Sequence, residues 1–362
     1  ISWKFRIATV RAIALNGAMT NTIRTQVGIL GAGPAGLLLA HLLGKAGIDS
    51  VVIDARSRED IEGTVKAGIV ESPAAEVLAE SGVSDRIYRE GMKHDGVEFH
   101  FDGRAHRFDF QELVGKSVYL YPQHEVLKDL IAARIRDGVT PLFEHTATSV
   151  EDAESDKPRI VGTTAAGEPF EIVADVVVGA DGSGSIARIP VVGSQQGGYY
   201  REYPFAWYGV LVEAPPSAPE LIYSRSDEGF VLISTRDQHI QRMYFQCDPL
   251  LDPTTVSDAE IWDKLQAGIE GTTLKQGPIF RKDVLRFRSF VAHELRKGRV
   301  FLMGDAAHTV PPTGAKGMNL AFSDVLWLNQ ALRSFFATGS EELMAAYPEN
   351  ALKRIWKAQH FS

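Results

Sequence analysis

The residues with chemical potential gather at three glycine-rich stretches and in one β-rich block. The first stretch is GAGPAG, Gly31–Gly36, which ends an apolar run and opens a segment with helical spacing. In a G-x-G-x-x-G of this kind Gly31 permits the tight turn and Gly33 lets backbone approach a pyrophosphate. Gly36 lets the helix pack against the strand. The helix amino end adds free amides and partial positive charge. Asp54 ends the next apolar run, 18 residues after Gly36, where a carboxylate accepts from a ribose hydroxyl. The set predicts a dinucleotide site; the alternative is a glycine-rich turn without a ligand.

The second stretch, VVVGADGSGS (Val176–Ser185), runs a strand into an Asp-Gly turn. It reads either as part of the same site or as a turn capped by Asp181. The third, VFLMGDAAHTVPPTGAKGMN (Val300–Asn319), runs a strand into Gly304-Asp305, a proline loop and a helix start. It offers backbone amides and no nucleophile beside a base, so its chemistry belongs to a bound group. His308 reads as a structural hydrogen bonder. Three strand ends finishing in glycine beside an acid suit one crevice at the carboxyl edge of a sheet, long enough for an extended dinucleotide.

In the β-rich block, period-2 alternation puts Phe230, Leu232, Ser234 and Arg236 on one face, and Arg242 with Tyr244 on one face of the next strand. Tyr223 lies on a preceding strand. Guanidinium, hydroxyl and phenol beside apolar rings suit a small aromatic carboxylate. The alternative is a surface strand with solvated arginines.

Those residues need two sheets to hold them. Thr25–Leu30, Ser50–Ala55, the run ending at Gly179 and the run ending at Gly304 read as buried parallel strands. PAGLLLAHLLGKAG reads as the first helix. GVEFHFDGRAHRFDF reads as a hairpin turning at Asp102-Gly103. The expected fold is α/β: a Rossmann-like domain over 25–196, a mainly antiparallel substrate domain over 197–298, and C-terminal helices over 299–362. Residues 1–24 form an extension without Asp or Glu, either a transit-like segment or sequence upstream of a true start at Met19. At 362 residues and 44% hydrophobic the chain can bury a large core. A net charge of −8 argues against nucleic acid as partner. The single Cys247 allows no internal disulfide and suits a reducing, cytoplasmic setting. No apolar run reaches the roughly 18 residues of a membrane span.

With these pieces, the chain from Thr25 to Ser362 resembles the group A flavin-dependent aromatic hydroxylases, in the branch acting on 4-hydroxybenzoate. GAGPAGLLL, VKAGIVE, RSFV, GDAAHTVPPTGAKGMNLA and LKRIWKAQHFS carry the family pattern, and ELIYSRSDEGFVLISTRDQHIQRMYFQ carries the specific part. The resemblance implies FAD as cofactor, NADPH and O2 as co-substrates, hydroxylation at the 3-position, a homodimer and no metal. It puts FAD along Ala35, Asp54, Thr64, Val65, Lys66, Ala67, Gly68, Ile69, Gln123, Asp305, Met318 and Asn319. Ser234, Arg236 and Tyr244 would bind the carboxylate. Tyr223, the Pro312 carbonyl and Thr313 would hold the phenol, His94 would end a proton relay, and Arg242 would control flavin movement.

Some positions depart from the family. Lys66 and Thr64 stand where arginine is usual, and Gly184 where some members have histidine; Arg288 matches a remaining arginine on the nicotinamide surface. Arg56 and Arg58 either meet a 2′-phosphate or are solvated. The family continues past Ser362 with a second tyrosine partnering Tyr223, so a truncated chain that binds FAD without turnover is one alternative. A hydroxylase of another phenolic acid and an NAD-dependent dehydrogenase are the others.

Overall fold

The computed structural model describes residues 11–15, 18–64, 68–269 and 271–362. Apolar runs that stop at glycine become parallel strands, because a strand buried on both faces needs no polar alternation. Ser50–Ile53, Ala18–Leu30, Pro169–Gly179 and Val300–Leu302 lie side by side in that order. Their register decides the function: Leu30 pairs with both Ile53 and Gly179, and Gly179 with Leu302. All four strands stop on one line. The turns bearing Gly31, Asp54, Asp181 and Asp305 therefore share one edge. The first strand begins at Ala18, ahead of the expected Thr25, and pairs with Arg11–Leu15; expectations for 1–10 and 16–17 lie outside the described residues. Helix Pro34–Lys45 buries Leu37, Leu38 and Leu39 against the sheet and helices Gln123–Arg136 and Gly317–Thr338.

A second, eight-stranded sheet runs His308–Thr309, Ile279–Ala292, Gly198–Glu213, Ile240–Cys247, Gly229–Thr235, Leu221–Ser226, Gly96–Phe101, Arg104–Asp109. Only Gly96–Phe101 meets its neighbour Leu221–Ser226 in parallel. The hairpin turns as expected at Asp102 (φ 52°) and Gly103 (φ 70°), the two left-handed residues a tight hairpin turn requires. It builds the edge of this second sheet although its sequence lies within 25–196, and His308–Thr309 closes the other edge.

Period-2 alternation gives the second sheet two apolar faces. Tyr208, Val210, Ile222, Ile233 and Met243 pack on Ile261, Trp262 and Leu265 of helix Asp258–Ala267, which starts with a Ser257–Glu260 capping box. Trp207, Leu221, Leu232, Tyr244 and Phe287 form the other face, which looks into the cavity between the two sheets.

Candidate active site

That cavity measures about 1500 Å³ and is lined by the strand ends of the first sheet and the inner face of the second. At its dinucleotide end, Gly31 has φ +102°, and a Cβ there would lie 2.2 Å from the Ala180 carbonyl oxygen. At Gly36 a Cβ would sit 2.0 Å from the Gly31 carbonyl oxygen, so neither position accepts a side chain. Gly33 differs. Among the described residues nothing lies within 4 Å of where its Cβ would be, and it caps a helix whose cap has no side-chain hydrogen bond. This cradle fits a pyrophosphate: open space before free amides at a helix amino end.

Asp54 is saturated. Its carboxylate accepts from Ala32 N (2.9 Å), Arg56 N (2.9 Å) and the Arg56 guanidinium (3.1 Å to each oxygen), which uses about four acceptor sites. A ribose hydroxyl reaching Asp54 must displace the Arg56 fork, whose guanidinium is exposed although the carboxylate it holds is buried. Arg58 is likewise engaged, with Glu62 at 2.7 Å. Asp181 braces its own turn by accepting from Ser185 Oγ (2.5 Å) and Ile186 N (2.8 Å); burial raises its pKa against those hydrogen bonds. It also lines the cavity. Asp305 is exposed into the cavity. The left-handed turn before it (Gly304, φ +57°) is pinned by buried Asp324, which accepts from Gly304 N (3.0 Å) and pairs with His308 Nε2 (2.6 Å). His308 is thus structural, as expected.

At the other end the second sheet sets a row of cross-strand partners on one face: Phe99, Tyr223, Leu232, Tyr244, Gly209 and Asp283. Ser234 and Arg242 form the next rung. Arg236 lies one residue past its strand, where its N–H donates to the Ile240 carbonyl across the turn (2.8 Å). The two arginines are in different electrostatic states. Arg242 Nη2 donates to both Asp283 oxygens (2.7 and 2.9 Å) and lies over the Tyr244 ring. Arg236 has no carboxylate partner among the described residues, and burial holds its guanidinium below the usual arginine range, with Tyr244 offsetting part of this. A half-buried cation without a counter-ion is a place for a ligand carboxylate.

Tyr223 Oη donates to the Thr313 carbonyl at 2.6 Å, which leaves its oxygen free to accept. Burial and the nearby Tyr244 push its pKa up to about 12. Among the described residues Ser234 makes only a long contact with Thr235 O, 3.4 Å. The Trp207 ring packs 5.1 Å from Tyr244 and 4.9 Å from Phe287, an apolar wall that excludes water.

Of the expected residues, Gly31, Gly33, Ala35, Asp54, Thr64, Gly68, Ile69, Gln123, Tyr223, Ser234, Arg236, Arg242, Tyr244, Asp305, Pro312 and Met318 line this cavity. Thr64 spends its hydroxyl on Asp60 O. Val65, Lys66 and Ala67 lie outside the described residues. Asn319 is not in the lining: its side chain bonds Glu71 N, Ile69 O and Ala315 O, joining the helix start to the strand Ile69–Glu71. Thr313 takes part through its carbonyl. His94 is buried and does not line the cavity, its Nε2 has no hydrogen-bond partner among the described residues, and burial lowers its pKa. Asp283, Trp207 and Phe287 went unread in the sequence. Only strand register shows that Asp283 faces Arg242 across Gly209, where a Cβ would lie within 2.9 Å of Asp283, Arg242 and Tyr244.

Comparison with known proteins agrees with this geometry. Residues 24–362 match the FAD binding domain family. The chain is 39% identical over 346 residues to p-hydroxybenzoate hydroxylase of Acinetobacter baylyi, covering 94% of this chain and 85% of that protein. It is 27% identical to a 3-(3-hydroxy-phenyl)propionate/3-hydroxycinnamic acid hydroxylase of Burkholderia vietnamiensis, covering 84% of this chain but 56% of that one. The structure of p-nitrophenol 4-monooxygenase from Pseudomonas putida superposes with TM-score 0.75 at 21% identity, over 94% of this chain and 88% of that one, a likeness of fold. The chain therefore belongs to the FAD-binding-domain family, as a flavin-dependent aromatic monooxygenase homologous to p-hydroxybenzoate hydroxylase.

Proposed function

We propose that the protein hydroxylates 4-hydroxybenzoate at the 3-position, giving 3,4-dihydroxybenzoate, with NADPH as electron donor and O2 as oxidant. The balance is one aromatic acid, one NADPH, one proton and one O2 in; one dihydroxy acid, one NADP+ and one water out. Bound FAD supplies the two-electron transfer and the activation of oxygen. The chain's own residues bind, orient and exclude water.

The observation that carries the reading is the charge state of the two arginines. Arg242 is neutralised by Asp283, so a carboxylate entering the pocket is drawn to Arg236, with Tyr244 and Ser234 as donors beside it. Leu232 and Trp207 then cover the ring. At the far end the Tyr223 oxygen accepts the phenol hydrogen bond while its own O–H stays donated to the Thr313 carbonyl, and the Pro312 carbonyl holds the same end. Drawing the phenol proton outward raises electron density at the ortho carbon, the one to be hydroxylated. The apolar wall keeps water from the oxygen chemistry. FAD would be held by the Gly31–Gly36 loop, Asp54, Asp305 and the start of helix Gly317–Thr338, whose positive end favours negative charge on the reduced ring.

Product analysis with 2-, 3- and 4-hydroxybenzoate tests the reading, together with titration of substrate against flavin absorbance. Only the 4-isomer should give dihydroxy product. Arg236→Ala should cost about 2–4 kcal/mol of substrate binding. Equal turnover of all isomers, or near-normal binding in the variant, would overturn it.

A further inference from the structure

We infer that Phe99 is a positioning residue for Tyr223: it fixes the plane of the phenol ring, and with it the line along which the Tyr223 oxygen accepts. The inference rests on the reading above that Tyr223 accepts a hydrogen bond from the substrate phenol. A phenol O–H lies close to the plane of its ring, because the oxygen is conjugated with it. That plane therefore sets both where the proton points and where the free lone pair lies. The backbone holds it only loosely, since the torsion that turns a tyrosine ring is broad. The bond donated to the Thr313 carbonyl (2.6 Å) pins the oxygen but leaves the tilt of the ring to its neighbours.

Phe99 supplies that tilt. Strand Gly96–Phe101 meets strand Leu221–Ser226 in parallel, with Phe99 opposite Tyr223. Their rings lie face to face, 5.4 Å between centroids and 14° between planes. Phe230, on the other adjoining strand, is farther (6.1 Å) and tilted by 48°, so it fills space without setting the plane. Phe99 is itself held edge-on by Phe108 from the second strand of the hairpin (5.4 Å, 85°). Arg107 forks onto buried Glu220 (2.7 and 2.9 Å), the residue just before the Tyr223 strand, and so fixes the hairpin in register. Core packing does not account for the ring, since Phe99 is 37% exposed. It does not line the cavity either, and it reaches the chemistry only through Tyr223.

Two variants of the FAD-loaded protein test the role. Phe99→Leu keeps the bulk and removes the flat face, whereas Phe99→Tyr keeps both. The readout is the ratio of dihydroxy product to hydrogen peroxide while NADPH is oxidised with 4-hydroxybenzoate present. Phe99→Leu should lower that ratio by about two- to tenfold, the range one aromatic pair commands, and Phe99→Tyr should keep it at the parent value. Substrate affinity, titrated against flavin absorbance, and the thermal midpoint should stay close to the parent in both variants. An unchanged ratio in Phe99→Leu overturns the inference, as does a ratio that falls only in step with affinity or midpoint. The parent separates this from the underlying reading. If the parent makes no dihydroxy product from 4-hydroxybenzoate, the assignment of substrate falls, and the inference with it. Product from the parent with equal coupling in Phe99→Leu removes the role of Phe99 alone.

Discussion

Two arginines of the same sheet illustrate how little a residue's type says until its partners are known. Arg242 and Arg236 are near in sequence and both line the cavity, yet one is paired with Asp283 and the other waits for an anion. Tyr223 is similarly defined by where its proton goes. Because it donates to Thr313, its oxygen is an acceptor, and a pKa near 12 keeps it protonated at neutral pH. Tyr223→Phe removes that acceptor without changing the shape of the pocket. Substrate binding should be largely retained, while product per NADPH falls and hydrogen peroxide is released instead. Unchanged coupling, measured as product per NADPH consumed, would remove Tyr223 from the mechanism.

At the scale of elements, the glycine loop does two jobs that can be separated. Gly31 and Gly36 serve packing, since any Cβ there strikes backbone, whereas the space at Gly33 is open and its φ of −77° suits alanine. Gly33→Ala should therefore leave the thermal midpoint of the FAD-free protein where it was, yet weaken FAD by roughly tenfold or more. Gly31→Ala should lower that midpoint itself, because it combines a clash with a left-handed conformation that costs about 1–2 kcal/mol. Equal losses of stability in the two variants, read by differential scanning fluorimetry, would refute this division.

At the scale of the whole molecule, burial of imidazole links stability to pH. His94 and His124 are both held below the ordinary value of 6.5 by desolvation. A histidine whose folded pKa is depressed binds fewer protons folded than unfolded just below 6.5. Its contribution is complete above that pH and is lost as pH falls through the folded value. The thermal midpoint should drop between about pH 7.5 and pH 5.5, and less steeply in His94→Gln. An identical pH slope in parent and variant would show that His94 does not carry the effect.

What the sequence determined by itself was local. Glycine spacing marked the loop from Gly31 to Gly36, apolar runs marked strand ends at Leu30, Gly179 and Gly304, and period-2 alternation put Leu232 with Ser234 on one face and Arg242 with Tyr244 on one face of the next strand. These patterns are legible because each depends on the geometry of one turn or one strand. The tertiary structure decided the pairings. It matched Asp283 to Arg242, laid Arg56 on Asp54, turned Asn319 inward to Ile69, and moved the hairpin Gly96–Asp109 into the second sheet. Each of these is a contact between segments distant in sequence or a choice among competing partners. Such contacts follow from strand register and from which charge is left unpaired when the sheets close, and neither leaves a periodic trace in the chain.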